Sequence, residues 1–174
     1  MDRLRSAPTQ KKIKNLISDL NIGISNLNAF TLYAIGNVYH PSWIEADNKL
    51  REIRVKHTVD CIYLARKLGA KNLSTEPGGP INRQNTGLES SALLKIFADG
   101  LKKVKHIAEE NSVKILVEPE PSLLIENSQQ FIQLMKIICS DYIKLNFDIG
   151  HFYCVKEDPS ETILKLIDYI EHFH

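Results

Sequence analysis

Long apolar runs are absent from this sequence of 174 residues. No uninterrupted apolar segment approaches the roughly 18 residues that a membrane-spanning helix needs. Residues 1–6, Met-Asp-Arg-Leu-Arg-Ser, are too polar for the central part of a signal peptide. Cysteine is also scarce, because Cys61, Cys139 and Cys154 are widely spaced and form no CxxC pair. We therefore expect reduced thiols, a cytoplasmic location and no membrane partner.

A strong net charge of either sign is missing as well. Lys and Arg number 22 against 21 for Asp and Glu, which gives a formal net charge of +1. A protein built to bind the phosphate backbone of DNA or RNA needs a basic face, so no nucleic-acid partner is expected. The sequence also has no glycine-rich phosphate loop, no HExxH and no GxSxG, so none of those enzyme classes is indicated.

What the sequence does contain is a regular alternation of strand-like and helix-like segments. The predicted strands are residues 22–27, 71–74, 114–117, 142–147 and a last one that begins at 172. Between them, apolar residues at helical spacing predict helices. One has Leu50, Ile53 and His57 on its apolar face and ends at Gly69, and another is capped by Ser128. Repeated βα units predict a single α/β domain over residues 1–174, in which outer helices surround a parallel sheet. The units alone do not decide between an open sheet and a barrel.

The last three strand-like segments end in residues that can bind a divalent metal. Glu118, Asp148 and His174 occupy these ends. The carboxyl ends of parallel strands meet on one face of the fold, so these side chains are predicted to form one mixed oxygen and nitrogen metal site. His151 follows Asp148 after a tight turn and could bind a substrate oxygen. The alternatives are that Asp148 only caps a helix, and that His174 belongs to a frayed terminus with His172, which shares its face.

Three further residues are candidates for substrate contacts. Glu120 falls on the same side of its strand as Glu118, because side chains alternate along a strand; a solvated acidic strand end is the alternative. Glu76 begins a Pro-Gly-Gly turn whose amides could approach a hydroxyl or phosphate, although a plain tight turn explains the pattern too. Trp43 lies in the long loop 28–46, where its ring could stack on a sugar or hold the loop in place.

Five segments resemble the sugar phosphate isomerase/epimerase family, the xylose-isomerase-like TIM barrels. They are Ile-Ser-Asn-Leu-Asn-Ala-Phe (24–30), Leu-Gly-Ala-Lys-Asn-Leu-Ser (68–74), Val-Glu-Pro-Glu-Pro (117–121), Phe-Asp-Ile-Gly-His-Phe (147–152) and Glu-His-Phe-His (171–174). The resemblance implies one divalent metal ion, Mn, Co, Mg or Zn, with Glu118, Asp148 and His174 as ligands. It also implies that His151 binds substrate, and that Glu118 moves a proton next to the metal-polarised carbonyl of a sugar, sugar phosphate or polyol.

The resemblance covers an incomplete barrel. The strands resemble the third to seventh of an eight-stranded barrel, so we expect a partial (β/α)8 fold of about five parallel strands, truncated at both ends. Such an arc would have two unpaired edges and an open apolar interior, and would lack the second Glu ligand of the family. Four explanations of the incomplete barrel are open. The chain is a fragment, a truncated gene product, a homo-oligomer that completes the site, or an inactive remnant or binding protein. An endonuclease of the endonuclease IV type is a further, less favoured functional alternative.

Overall fold

A computed structural model describes residues 6–31, 36–81 and 87–174 of the chain. The helices are α1 (Ala7–Asp19), α2 (Asn48–Leu68), α3 (Ser90–Glu110), α4 (Ser128–Ile138), α5 (Ile149–Cys154) and α6 (Pro159–Leu166). The strands are β1 (Leu27–Asn28), β2 (Asn72–Thr75), β3 (Lys114–Val117), β4 (Ile143–Phe147) and β5 (Ile170–Phe173). Two parts of the predictions lie outside the described residues: the start of the predicted domain, residues 1–5, and residues 32–35 of the predicted long loop.

The five strands form one parallel sheet in the order β1-β2-β3-β4-β5, which is also their order in the chain. Each connection between neighbouring strands carries at least one helix. Sequential parallel strands linked by helices curve into a half-barrel, since each crossover turns in the same direction. The predicted α/β fold, a partial barrel of five parallel strands, is confirmed. In the described part of the chain, no helix is both long and apolar enough to cross a membrane.

The core lies between the outer face of the sheet and the helices. Apolar side chains of alternate strand residues face it, among them Leu73, Ile115, Val117, Leu145 and Phe147, all fully buried. The inner face was predicted to be apolar, but it is mixed: Leu116, which pairs with Ser74, is apolar, whereas several of its neighbours are polar. Ser74, Asn146 and His172 take part there in hydrogen bonds between strands. The inner face of the half-barrel is therefore suited to polar chemistry.

The buried face of α2 differs from the predicted one. Its apolar pattern predicted a face that includes Leu50 and Ile53, but both are more than a third exposed. The residues that α2 buries are Arg54, His57, Thr58, Ile62 and Ala65. The helix is rotated because Arg54 has a carboxylate partner in the interior, which hydropathy cannot anticipate. The end of α2 was predicted correctly: Gly69 adopts φ +84°, the left-handed conformation that glycine tolerates best.

Two boundaries differ from their predictions for local hydrogen-bonding reasons. Strand β1 is shorter and later than residues 22–27, because the Asn72 side chain, rather than a backbone amide, donates to the carbonyl of Ser25. Helix α4 is capped by Asn127, whose side chain accepts from the Gln130 amide, so the predicted cap Ser128 is the first helical residue. The Ser128 hydroxyl instead donates to Glu157.

An irregular register between β4 and β5 sets which β5 residues face inward. Leu145 pairs with Ile170, but the next residue, Asn146, pairs with His172. Glu171 is thus an extra residue, a β-bulge, and its carboxylate contacts Lys114 instead. Because paired residues of neighbouring strands point to the same face, the bulge turns His172 to the inner side together with Asn146.

Candidate active site

Three potential ligand atoms converge at the carboxyl ends of β3, β4 and β5. His174 Nδ1 lies 2.9 Å from Glu118 Oε1 and 3.2 Å from Asp148 Oδ2. Each residue directly follows the last residue of its strand, and Glu118 is almost completely buried. The predicted association of Glu118, Asp148 and His174 in space therefore matches the positions of these side chains.

The two carboxylate oxygens of Asp148 make different contacts, which fit both of the roles that the sequence analysis treated as alternatives. Its Oδ1 accepts a hydrogen bond of 2.9 Å from the backbone amide of His151, which makes Asp148 the N-cap of α5. Its Oδ2 is the atom that faces His174. The cap fixes the rotation of the carboxylate, so the second oxygen stays directed toward the cluster. The predicted tight turn at Gly150 is the first turn of α5.

His151 lies beside the cluster with its ring held by the backbone. Its Nδ1 is 2.9 Å from the carbonyl oxygen of Pro119, which can only accept, so Nδ1 carries the proton. Nε2 lies 3.8 Å from Asp148 Oδ2. Glu118, Asp148 and His151 also offer ligand atoms within 4.8 Å of one another, but the contacts of His174 are shorter. His174 thus makes the shorter contacts with the two carboxylates, whereas His151 Nε2 lies farther from Asp148 Oδ2.

Glu118 is held from the other side by β4. Asn146 Nδ2 donates to Glu118 Oε2 at 2.7 Å, and Asn146 is itself 2% exposed. His172 Nδ1 lies 2.9 Å from Asn146 Oδ1, and His172 Nε2 lies 3.4 Å from Ser25 Oγ near β1. One oxygen of Glu118 is thus occupied by an amide, and the other faces His174.

The electrostatic environment of His174 favours its protonated form. The hydrogen bond and the charge of Glu118 raise the pKa of the His174 imidazole, partial burial lowers it, and Asp148 raises it further. Two carboxylates that face one imidazole form a site with excess negative charge. A cation of either kind, a proton on His174 or a metal ion, stabilises such a site.

Glu76 follows β2 at the same end of the sheet but is completely buried. Its Oε2 lies 2.6 Å from Arg54 Nη2 of α2. Burial raises the pKa of the Glu76 carboxyl and lowers the pKa of the Arg54 guanidinium, and the ion pair opposes both shifts. Oε1 of Glu76 has no hydrogen-bond partner among the described residues. The predicted substrate contact of Glu76 would have to be made through this oxygen.

Glu120 receives a hydrogen bond from the loop between β1 and α2. The donor is the hydroxyl of Tyr39, which contacts Glu120 Oε1. Burial, followed by the hydrogen bond and charge of Glu120, raises the pKa of the Tyr39 phenol above its usual range. Tyr39 therefore stays protonated and donates. The pair connects the long loop 28–46 to the carboxyl end of β3.

The Trp43 ring packs in the core, and only 1% of the residue is exposed. It lies against Phe97 with ring centroids 5.9 Å apart, and the Arg54 guanidinium is 5.1 Å from its centroid. Its Nε1 donates to Thr75 Oγ1 at 2.9 Å. Of the two roles considered for Trp43, this position corresponds to holding the loop; the buried ring presents no face on which a sugar could stack.

Sequence analysis missed Arg54, Tyr39 and Asn146 as neighbours of the site. Asn146 could have been found, because it lies two residues before Asp148 and so on the same face of β4. Arg54 is a charged residue between apolar helix positions, which hinted at a buried partner. Nothing in the sequence indicated that Tyr39 meets Glu120, since the pair depends on how a long loop folds back.

The donor set and its spacing fit a divalent metal ion. Zinc binds imidazole nitrogen and carboxylate oxygen at about 2.0–2.2 Å, so two ligand atoms on one such ion are about 3 Å apart. The distances of 2.9 Å and 3.2 Å from His174 Nδ1 agree with that separation. Two carboxylates with one imidazole also suit manganese, cobalt and magnesium.

Comparison with known proteins identifies the family of this chain. The family model described as xylose isomerase-like TIM barrel matches residues 2–174. The chain belongs to this family. The resemblance stated from sequence segments alone is therefore confirmed.

Three similar proteins are longer than this chain. An inosose dehydratase from Clostridium beijerinckii is 29% identical over 80 residues, which are 46% of this chain and 27% of that protein. The structure of a D-tagatose 3-epimerase-like protein superposes with a TM-score of 0.82 at 22% identity, over 97% of this chain and 61% of that protein. An IolI protein with a bound zinc atom gives 0.73 at 18% identity, over 93% and 55%. The chain spans less than two thirds of each.

Proposed function

We propose that Glu118, Asp148 and His174 hold a divalent metal ion in an enzyme that moves a proton next to the carbonyl of a sugar or a related polyol-derived ketone. The observation that carries the proposal is the meeting of three ligand atoms from consecutive strand ends, with His174 Nδ1 2.9 Å and 3.2 Å from its two carboxylate partners. Membership of the xylose isomerase-like family supports it. So does the bound zinc of the IolI protein.

Each residue of the site has a task in this proposal. The metal ion would polarise the substrate carbonyl and stabilise the negative charge that develops on its oxygen. Glu118 would accept the proton from the carbon next to the carbonyl and deliver it to the former carbonyl carbon, while the hydroxyl proton passes between the two oxygens, so the substrate isomerises without net gain or loss of atoms. His151 Nε2 contacts a substrate oxygen, because its Nδ1 is engaged by Pro119. Glu120, which is only partly buried, is suited to accept a hydrogen bond from a substrate hydroxyl; Glu76 is completely buried and presents no surface to a substrate in this structure.

The carboxylates at the carboxyl end of the sheet favour a polyhydroxylated substrate. Ionised carboxylates only accept hydrogen bonds, and sugar hydroxyls can donate them. Glu76, Glu118, Glu120 and Asp148 all lie at the carboxyl end of the sheet, either at a strand end or just beyond it. Among the residues that the structure describes, Arg54 is a cation beside them and is already paired with Glu76. We therefore favour a sugar or polyol without phosphate over a sugar phosphate.

Metal binding is tested by isothermal titration with manganese and cobalt salts. We expect one ion per chain for the unsubstituted protein and no measurable binding for Asp148→Ala. The matched control is Asp168→Ala, a carboxylate at the other end of β5. Unchanged affinity in Asp148→Ala would remove the proposed metal site.

The reaction is tested by proton exchange with solvent. In D2O, ketohexoses, ketopentoses and inosose are incubated with the metal-loaded protein, and deuterium at the carbon next to the carbonyl is followed by NMR. We expect incorporation that depends on metal and is lost in Glu118→Gln. Absence of exchange with every ketose, together with normal metal binding, would reject proton transfer while retaining the metal site.

A dehydratase is the second candidate, because the match of 80 residues is to an inosose dehydratase. Dehydration begins with the same proton removal, but a hydroxyl on the next carbon then leaves as water. The two candidates differ in product: an epimerase or isomerase product has the mass of its substrate, whereas dehydration lowers the mass by one water. Mass spectrometry of the products separates them.

A further inference from the structure

A row of hydrogen-bonded side chains crosses the inside of the half-barrel and ends at Glu118. The members of this inner row are Glu118, Asn146, His172 and Ser25. Asn146 Nδ2 donates to Glu118 Oε2 at 2.7 Å, and His172 Nδ1 lies 2.9 Å from Asn146 Oδ1. His172 Nε2 lies 3.4 Å from Ser25 Oγ. Four segments of the chain thus meet in a single polar row.

The direction of every hydrogen bond in the inner row follows from the charge of Glu118. A carboxylate only accepts, so the amide nitrogen of Asn146 must face it. The amide oxygen of Asn146 then faces His172, and His172 must carry its proton on Nδ1. Nε2 of His172 is left as an acceptor, and the hydroxyl of Ser25 donates to it. The inner row therefore has one consistent arrangement of protons.

We propose that Asn146 and His172 are positioning residues for Glu118. They hold Oε2, so that only Oε1 is presented to His174, to the metal and to the substrate proton. Without the Asn146 donor, the carboxylate could rotate and offer either oxygen or both. This proposal rests on the proposed function, because it assigns a purpose to the orientation of a metal ligand.

The β-bulge at Glu171 supports this inference. It places His172 opposite Asn146, whereas a regular register would have paired Asn146 with Glu171. A strand with regular alternation would then have directed His172 and His174 away from the inner face. The same irregularity therefore supplies both the ligand His174 and the support residue His172.

Cobalt titration followed by visible absorption tests the proposal on the full chain. Partners of metal ligands typically contribute about 10–100-fold to metal affinity. We expect Asn146→Ala to weaken cobalt binding within that range and to alter the absorption spectrum of the bound ion. His172→Leu should weaken binding less, and His172→Asn, which keeps a donor near the Nδ1 position, should recover most of the loss. Asn111→Ala, an amide truncation at the far end of α3, is the control and should bind cobalt normally.

A readout without metal checks the inner row itself. Nitrogen-15 NMR of the metal-free protein should show the His172 tautomer with its proton on Nδ1, and Asn146→Ala should abolish this preference. In the exchange assay, Asn146→Ala should lower kcat more than it changes KM, since orientation matters most for the proton transfer.

The outcomes separate this proposal from the proposed function. If Asp148→Ala abolishes cobalt binding while Asn146→Ala leaves it unchanged, the positioning role is overturned and the metal site stands. A His172 proton on Nε2 in the metal-free protein also overturns it. If the unsubstituted protein binds no cobalt, the proposed function fails and the positioning role fails with it.

Discussion

Arg54 Nη2 lies 2.6 Å from Glu76 Oε2, and neither side chain has any exposed surface. The pair joins α2 to the end of β2, next to the Trp43 ring and the Thr75 hydroxyl, to which Arg54 also donates. A buried charge that loses its partner is costly, because it has neither water nor a counter-ion. The ion pair is therefore required to hold Glu76 in place at the carboxyl end of β2.

Removal of Arg54 alone should destabilise the protein strongly. We expect Arg54→Met to lower the free energy of unfolding by about 3–5 kcal/mol, since Glu76 would remain buried and unpaired. Urea denaturation measures the change. The double variant Arg54→Met with Glu76→Gln should recover a large part of the loss. Lys103→Ala, which breaks a half-exposed pair with Glu52, is the control and should cost less than about 1 kcal/mol.

Gly100 should resist replacement, although it lies inside a helix. Glycine to alanine in a helix interior usually stabilises by about 0.5–1 kcal/mol. At Gly100 an added Cβ would lie 2.8 Å from Cε3 of Trp43, well inside contact distance. We expect Gly100→Ala to lower the thermal midpoint, at a cost of about 1–3 kcal/mol from overpacking. Gly23→Ala is the control, because nothing lies within 4 Å of its added Cβ; an equal loss there would contradict the explanation.

Asp148 allows its capping and metal-binding roles to be separated. Asp148→Asn keeps an oxygen that accepts from the His151 amide, so it should retain stability but weaken metal binding. Asp148→Ala loses the cap as well and should cost a further ~1 kcal/mol or so of folding stability. Thermal denaturation without metal and manganese titration measure the two effects. Equal stability of both variants would show that the cap contributes nothing.

Metal affinity should depend on pH through His174. Glu118 raises the pKa of the imidazole, so in the metal-free protein their contact stabilises fully below the ordinary histidine pKa, about 6.5. That contribution is lost as pH rises through the raised folded value. Metal needs the free Nδ1, so affinity should fall about tenfold per unit as pH drops below the folded pKa. Cobalt titrations from pH 5.5 to 8.5 test this, and His174→Gln should flatten the dependence.

The strand ends show how much of the site could be predicted. Glu118, Asp148 and His174 were identifiable because each directly follows a short apolar run, and parallel topology brings such positions together. The alternation of segments also predicted a parallel sheet; these predictions depend on local periodicity and on a connection rule that holds for nearly all parallel sheets. The five-stranded partial barrel was implied by the family resemblance, because the repeated units alone did not decide between an open sheet and a barrel.

Contacts that depend on tertiary geometry could not be predicted. The Trp43 ring could not be assigned to core or substrate, because its burial depends on the close approach allowed by Gly100. Arg54 was missed because its pairing with Glu76 reverses the usual preference of arginine for the surface. The position of β1 was misplaced because the Asn72 side chain replaces a backbone donor.

The extra residue at Glu171 has a consequence for anything that joins the sheet beyond β5. A segment that pairs with the free side of Phe173 and its neighbours meets a strand whose alternation has changed phase at Glu171. The residues of such a segment that face the inside of the half-barrel follow the alternation of His172 and His174. If the alternation were instead extended from Ile170, inward and outward residues would be exchanged. A partner strand designed for the free edge of β5 should therefore carry its inward-facing polar residues in register with His172 and His174.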